Sequence, residues 1–191
     1  MPRVLLIGGP NGAGKTTAAK RLLANELRFP VFVNADEIAA ELCPEDPASK
    51  ALDAGRRMVK ELARLREARS DIAFESTLAA RTPAQFLRRC KDEGYTVQVM
   101  YFWLPSPEMA IRRVATRVAR GGHDIPEEVI RRRYTAGLKN MFELYMPIAD
   151  RWAIYDSAYR VPKKIAQYSR DGIMIFSQQK WSMLCKRVKT N

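Results

Sequence analysis

The run Gly9-Pro-Asn-Gly-Ala-Gly-Lys-Thr16 satisfies the spacing G-x-x-x-x-G-K-[ST] at every constrained position. Glycines let the backbone wrap closely around an oxyanion without side-chain clash. The loop N–H groups and the helix N-terminus that should follow add partial positive charge. In such a loop Lys15 reaches the β- and γ-phosphates of a nucleotide, and Thr16 ligates magnesium. The expected nucleotide-binding residues are Gly9, Pro10, Asn11, Gly12, Ala13, Gly14, Lys15, Thr16 and Thr17. ATP and Mg2+ are the expected cofactors. The loop establishes nucleotide binding but leaves motor, GTPase, ATPase and kinase chemistry open. No Asn-Lys-x-Asp guanine-reading motif is present, which disfavours a GTPase. Asp156, after Trp152-Ala-Ile-Tyr, is the best formal match to a Walker B acid, but it lies late in the chain and is not taken as one.

Two further groups could do chemistry. Asp36 follows Val31-Phe-Val-Asn, and Glu75-Ser-Thr77 follows Ile72-Ala-Phe. Ligands of doubly wound sheets bind outside the carboxyl ends of strands, where both groups fall. A carboxylate facing the γ-phosphate could accept the proton of an attacking hydroxyl. Asp36 could equally be the N-cap of a helix starting there.

Arginines crowd residues 111–145. At ~100° per residue, Ile111, Val114 and Val118 define the buried face of one helix. Ile130, Tyr134, Leu138, Met141 and Tyr145 define that of the next. Arg117 then lies roughly 90° from its face centre and Arg131 about 60° from its own, with Arg133 about 100° off and Arg132 almost opposite. Arg112, Arg113 and Arg120 point further towards solvent. Arg117 and Arg131 are therefore expected to turn into a cleft, as a lid neutralising charge on a transferring phosphoryl group. His123, the one histidine, sits in the loop between these helices and is left out of the catalytic set.

Positioning these groups requires strands that alternate with helices. Residues 4–7, 31–34, 72–74 and 95–104 read as strands, and 152–155 and 173–176 as weaker ones. Helical spacing covers 15–27, 35–42, 47–70, 82–90, 107–120, 127–149 and 180–188. In the long segment Leu52, Val59, Leu62 and Leu65 are expected to share a face. Thr82-Pro83 reads as cap and first position of its helix. The pattern implies α/β architecture with a parallel sheet covered on both faces.

The chain has 191 residues, 47% apolar and 28% charged, which fits one globular domain. No apolar run approaches the ~20 residues that span a bilayer. The start lacks the roughly 7–15-residue apolar stretch of a signal peptide, so a cytoplasmic location without membrane contact is expected. Cys43, Cys90 and Cys185 are scattered and odd in number, arguing against disulfides and zinc. The net charge of +12 suggests an anionic partner. There is no aromatic-interleaved basic strand or recognition-helix motif, so specific nucleic-acid binding is not expected.

Four segments together resemble the zeta-toxin group of P-loop kinases: Gly9-Pro-Asn-Gly-Ala-Gly-Lys-Thr-Thr17, Asn34-Ala-Asp-Glu-Ile-Ala39, Phe74-Glu-Ser-Thr-Leu-Ala79 and Gly121-Gly-His-Asp-Ile-Pro126. The likeness runs over residues 4–156. It implies a P-loop NTPase fold like that of nucleoside kinases: a three-layer α/β sandwich with a parallel sheet of about five strands and a helical lid. Residues 1–191 would form one kinase domain, with the lid at about 107–135. The resemblance further implies Asp36 as base, and Glu75 and Thr77 on the substrate side. Its two phosphate-neutralising arginines fall, by spacing around the lid proline, on Arg117 and Arg131, with Arg132 and Arg133 adjoining. Characterised zeta toxins phosphorylate UDP-N-acetylglucosamine, and many are held inactive by a small antitoxin. Here the lid looks like that of a chromosomal subgroup, and the chain is shorter than the plasmid-borne toxins.

The expected activity is ATP- and Mg-dependent phosphoryl transfer to a small-molecule hydroxyl, by Lys15, Asp36, Arg117 and Arg131. A nucleoside, an antibiotic or a nucleic-acid end would be other acceptors. A nucleotide-gated binding protein with little turnover is the reading from another class.

Overall fold

The computed structural model describes residues 1–23 and 29–190. The end of the helix expected over 15–27 therefore lies partly outside the described residues. The elements are β1 (Arg3–Gly8), α1 (Lys15–Leu22), β2 (Val31–Val33), α2 (Ala35–Leu42), α3 (Ala51–Glu67), β3 (Ile72–Ser76), α4 (Thr82–Asp92), β4 (Thr96–Trp103), α5 (Pro107–Val118), α6 (Glu127–Asn140), β5 (Arg151–Asp156), β6 (Lys163–Ser169), β7 (Gly172–Ile175) and α7 (Gln178–Thr190). A 3-10 turn, Pro47–Lys50, precedes α3, and a π-helical turn, Met141–Tyr145, follows α6.

The strands form one sheet in the order β2-β3-β1-β4-β5-β6-β7. The first five run parallel, while β6 and β7 are antiparallel to their neighbours. The parallel sheet of about five strands is thus present and carries an antiparallel hairpin in addition. The most apolar run, Val4 to Ile7, is fully buried in β1 at the centre. Its pleat sends Val4 and Leu6 to one face and Leu5 and Ile7 to the other.

Each face packs against helices. One side carries Leu62 and Leu65 of α3, Leu87 and Cys90 of α4, and Leu184 of α7. The other carries Ala18, Ala19 and Leu22 of α1, and Ala110 and Val114 of α5. Helix α6 serves both clusters: Ile130 and Tyr134 join the α1–α5 side, and Leu138, with Met141 of the π-helical turn that follows, joins the other. Burying such a side chain contributes about 1.5–3 kcal/mol, so α6 is fixed at both ends of its apolar stripe.

Two local expectations change. In α3 the inward stripe is Ala54, Met58, Leu62 and Leu65, whereas Leu52 and Val59 are 80% and 52% exposed. The stripe thus lies on the flank of α3 that carries Ala54 and Met58, turned away from Leu52 and Val59. Helix α4 starts at Thr82 with Arg81, not Thr82, in the cap position. Among the described residues no helix is long and apolar enough to cross a membrane.

Candidate nucleotide and acceptor site

The loop between β1 and α1 is held from several sides. Gly14 takes φ 77 at the head of α1, a left-handed conformation that favours glycine. Lys15 is buried, donating from Nζ to Pro10 O at 3.2 Å and lying 3.5 Å from Glu75 Oε1. Thr16 Oγ1 donates to Glu75 Oε2 at 2.8 Å. Ser157, just past β5, donates from Oγ to Ala13 O at 2.6 Å. From α5, Arg113 donates through Nη1 to Ser157 O at 2.8 Å and to Gly12 O at 3.4 Å, and through Nη2 to Ala158 O at 3.0 Å. Arg113 was expected to face solvent. It instead ties the loop to the end of β5, because both rise beyond the sheet on the flank of α5 that it shares with Arg117. Their i, i+4 spacing was the sequence signal.

At the head of α2, Asn34 is the N-cap: its side chain accepts from Asp36 N at 2.9 Å. The capping role is therefore taken by Asn34, and the exposed Asp36 carboxylate lines the cleft. The turn after β3 is braced by α6. A side chain at Gly137 would meet Thr77 O at 2.4 Å, so only glycine allows this approach. Asn140 Nδ2 donates to Leu78 O at 2.7 Å, and the Tyr145 hydroxyl to Ala80 O at 3.0 Å. Leu78, fully buried, is held at φ 62. A non-glycine residue in that region persists only where its surroundings over-determine it.

Two cavities meet here. One, of about 690 Å³, is lined by Asn11, Gly12, Gly14, Lys15, Thr16 and Thr17 of the loop together with Asp36, Glu75, Arg113 and Arg117. The other, of about 500 Å³, runs over Thr77, His123, Ile125 and Arg133. Asn11, Lys15, Asp36 and Glu75 line both. Arg117 also holds the loop between α5 and α6, donating from Nη2 to His123 O at 3.0 Å.

Of the residues expected at the site, Asn11, Gly12, Gly14, Lys15, Thr16, Thr17, Asp36, Glu75, Thr77 and Arg117 converge on these cavities, whereas Gly9, Pro10, Ala13 and Arg131 line neither. Arg131 Nη1 pairs with Glu108 Oε1 at 2.6 Å on the outer surface and lines neither cavity. This hydrogen bond is the main cause holding the Glu108 carboxyl down at about 2. Arg133 faces the second cavity instead. Burial lowers its pKa, and the Asp36 charge opposes that shift. Arg131 and Arg133 lie on opposite flanks of the buried stripe of α6, and helical periodicity cannot say which flank meets the cleft. Asp156, buried at the end of β5, is ion-paired with Lys180 of α7 and also lies outside both cavities. Among the described residues no cluster of three or more His, Cys, Asp or Glu side chains could hold a metal on its own.

The chain resembles known proteins at this level. An uncharacterised protein of Haemophilus influenzae is 29% identical over 126 residues, covering 66% of this chain and 88% of its own. The crystal structure of AvrRxo1-ORF1:-ORF2 with ATP superposes with TM-score 0.74 at 16% identity, over 96% of this chain and 63% of that one. This chain thus spans under two thirds of that neighbour's length. The PezAT chromosomal toxin–antitoxin system of Streptococcus pneumoniae superposes with TM-score 0.64 at 19% identity, over 100% of this chain and 87% of that one. The sequence model of a family described as an AAA domain matches residues 4–139, from β1 into the last turn of α6. The chain belongs to that family and has a P-loop, kinase-like α/β fold.

Proposed function

We propose that this protein is an ATP- and Mg-dependent kinase acting on a small-molecule hydroxyl. The observation that carries the reading is the pair of cavities sharing Asn11, Lys15, Asp36 and Glu75. One has the glycine loop and suits a phosphate donor. The other adjoins it across a carboxylate and suits an acceptor. The neighbour crystallised with ATP supports the choice of nucleotide.

The buried lysine, the left-handed Gly14 and the α1 N-terminus form a cradle that fits a polyphosphate. The Thr16 hydroxyl would hold magnesium together with the phosphates, and Glu75, bonded to Thr16, would orient it. Bound there, the ion would neutralise charge developing on the phosphates. The acceptor oxygen attacks the γ-phosphorus while the bond from that phosphorus to the β–γ bridging oxygen breaks, and ADP leaves. Asp36 takes the acceptor proton. Thr77 contacts the acceptor. Arg117, and Arg133 in place of Arg131, stabilise charge on the transferring group, with α5, α6 and the intervening loop as the lid. Most of the catalysis is positioning and charge neutralisation.

The resemblance to zeta toxins makes UDP-N-acetylglucosamine the first acceptor to test. The toxin–antitoxin neighbour supports a small protein partner as well. Incubation of the protein with ATP, Mg2+ and a metabolite extract, read by mass spectrometry, tests the activity. A phosphorylated sugar nucleotide is expected. A phosphorylated nucleoside or antibiotic would keep the kinase and change its acceptor. ATP binding without ADP release in any mixture would overturn the kinase reading in favour of a nucleotide-gated binding protein.

A further inference from the structure

The sheet is not covered evenly. On the side of α1 and α5, packed helix residues reach β1, β3 and β4 through Leu5, Ile7, Ala73 and Phe102. Further along that side, a recess of about 470 Å³ is lined by residues of β4, β5 and β6 and of the β6–β7 turn, and, among the described residues, by none from a helix. Parallel strands are ordinarily covered on both faces. Met100 and Tyr155 are only partly buried here. Beside the recess, Met174 and Phe176 are 55% and 52% exposed. Met174 is in register with Gln167 of the recess, and Lys164 Nζ lies 5.4 Å from the Phe176 ring centroid. Met100, Tyr155, Met174 and Phe176 thus leave apolar surface here, set among the polar side chains Gln98, Gln167 and Ser169. Its charge is one-sided: Arg151, Lys164 and Arg170 stand against Asp171.

We propose that this open face of β4–β6 docks an acidic amphipathic helix of a partner protein. A helix about 10 Å across spans two strand intervals of about 4.8 Å, which matches the recess. Strand addition at the sheet edge fits less well, because β7 has only four residues. A second copy of this chain would bring the same three cations and a net charge of +12, setting like charges against each other. An acidic helix meets Arg151, Lys164 and Arg170 with opposite charge and covers Met100, Tyr155 and Met174 with its apolar stripe. None of the recess residues lines the two cavities of the candidate site, so this inference stands apart from phosphoryl transfer.

The probe is a synthetic helical peptide of about 20 residues, with a leucine stripe flanked by glutamates. A lysine-flanked version is the control. Binding to the full chain is read by fluorescence anisotropy at about 0.15 M salt, where long-range charge is screened. The acidic peptide should bind, the basic one should not, and hydrogen exchange should slow at Ala153, Tyr155 and Gln167. Arg151→Glu with Arg170→Glu should weaken binding by about tenfold or more. Arg56→Glu with Arg57→Glu, on exposed positions of α3, should leave it unchanged. Equal losses in the two double variants, protection elsewhere, or binding of neither peptide would overturn the proposal. So would a dimer in sedimentation that Met174→Asp abolishes, or displacement of the peptide by a single-stranded oligonucleotide at lower concentration.

Discussion

Thr16 Oγ1 donates to Glu75 Oε2 at 2.8 Å, joining the start of α1 to the end of β3 across the mouth of the cleft. The other carboxylate oxygen lies 3.5 Å from Lys15 Nζ, and both side chains of that pair are nearly buried, at 7% and 9% exposure. One carboxylate thus orients both the lysine and the hydroxyl of the phosphate loop. Glu75→Gln keeps the size and an acceptor for Thr16 but removes the charge. Its expected phenotype is a normal melting curve and a phosphoryl-transfer rate lower by about 10–100-fold, with more Mg2+ needed for half-maximal rate. Titrating Mg2+ against rate checks this; an unchanged Mg2+ dependence would refute an orienting role.

The arginines separate by where they point. Arg117 and Arg133 face the cavities, while Arg131 pairs with Glu108 outside them. Replacing Arg117 or Arg133 by Ala should lower kcat by ~10²–10³, the scale for one transition-state donor. Arg131→Ala should leave kcat within about twofold, since an exposed ion pair contributes only ~0–1 kcal/mol. Steady-state kinetics of the three variants decides it. Equal losses at all three sites would show a general charge effect.

Arg113 makes a different prediction. Its two terminal nitrogens reach three backbone carbonyls, at Gly12, Ser157 and Ala158. Arg113→Ala should raise KM for ATP several-fold and lower Tm, because hydrogen bonds to a charged group contribute ~1.5–3 kcal/mol. Arg113→Lys should rescue little, since an ammonium lacks the planar fork. Full rescue by lysine would show that charge alone matters.

Much of this architecture was legible in the sequence. The strands over residues 4–7, 72–74 and 95–104 are apolar or β-rich runs whose turns carry glycine or acidic residues, and each became a strand of the sheet. Strand β6 was not legible: Lys163-Lys-Ile-Ala-Gln-Tyr-Ser169 has two adjacent apolar residues where alternation was needed. It is a strand because β5 and β7 pair with it on either side. At the site, residue types identified the phosphate loop and the carboxylates at strand ends. The choice between Arg131 and Arg133 depended on which flank of α6 meets the cleft, and that is set by tertiary packing through Gly137 and Asn140.

Cys90 gives a pH prediction. It is fully buried, and burial pushes its thiol up to about 12. At pH 8 it should stay protonated and resist alkylation until the protein unfolds, whereas the partly exposed Cys43 should label first. Above the ordinary thiol value of about 8.5 the unfolded chain releases this proton and the folded one retains it. Stability should therefore fall as pH rises from about 8.5 towards 12, and Cys90→Ala should remove that part of the slope. Mass-spectrometric labelling and melting temperature across pH read both effects.

Asn34 and Asp36 divide two roles that one residue could have filled. Asn34 caps α2 by accepting from Asp36 N at 2.9 Å, which leaves the Asp36 side chain on the cleft between the two cavities. Asn34→Ala removes the cap and should cost ~1 kcal/mol of stability. Its rate should fall only as far as α2 loosens. Asp36→Asn does the reverse. The backbone N–H of residue 36 still donates to Asn34, so Tm and ATP affinity should hold. An asparagine amide cannot take the acceptor proton at neutral pH, so phosphoryl transfer should fall by ~10²-fold or more. Thermal melting, ATP titration and single-turnover transfer on both variants test the division. If Asp36→Asn transfers phosphate near the wild-type rate, Asp36 is not the base, and Glu75, the other carboxylate shared by the two cavities, is next in line.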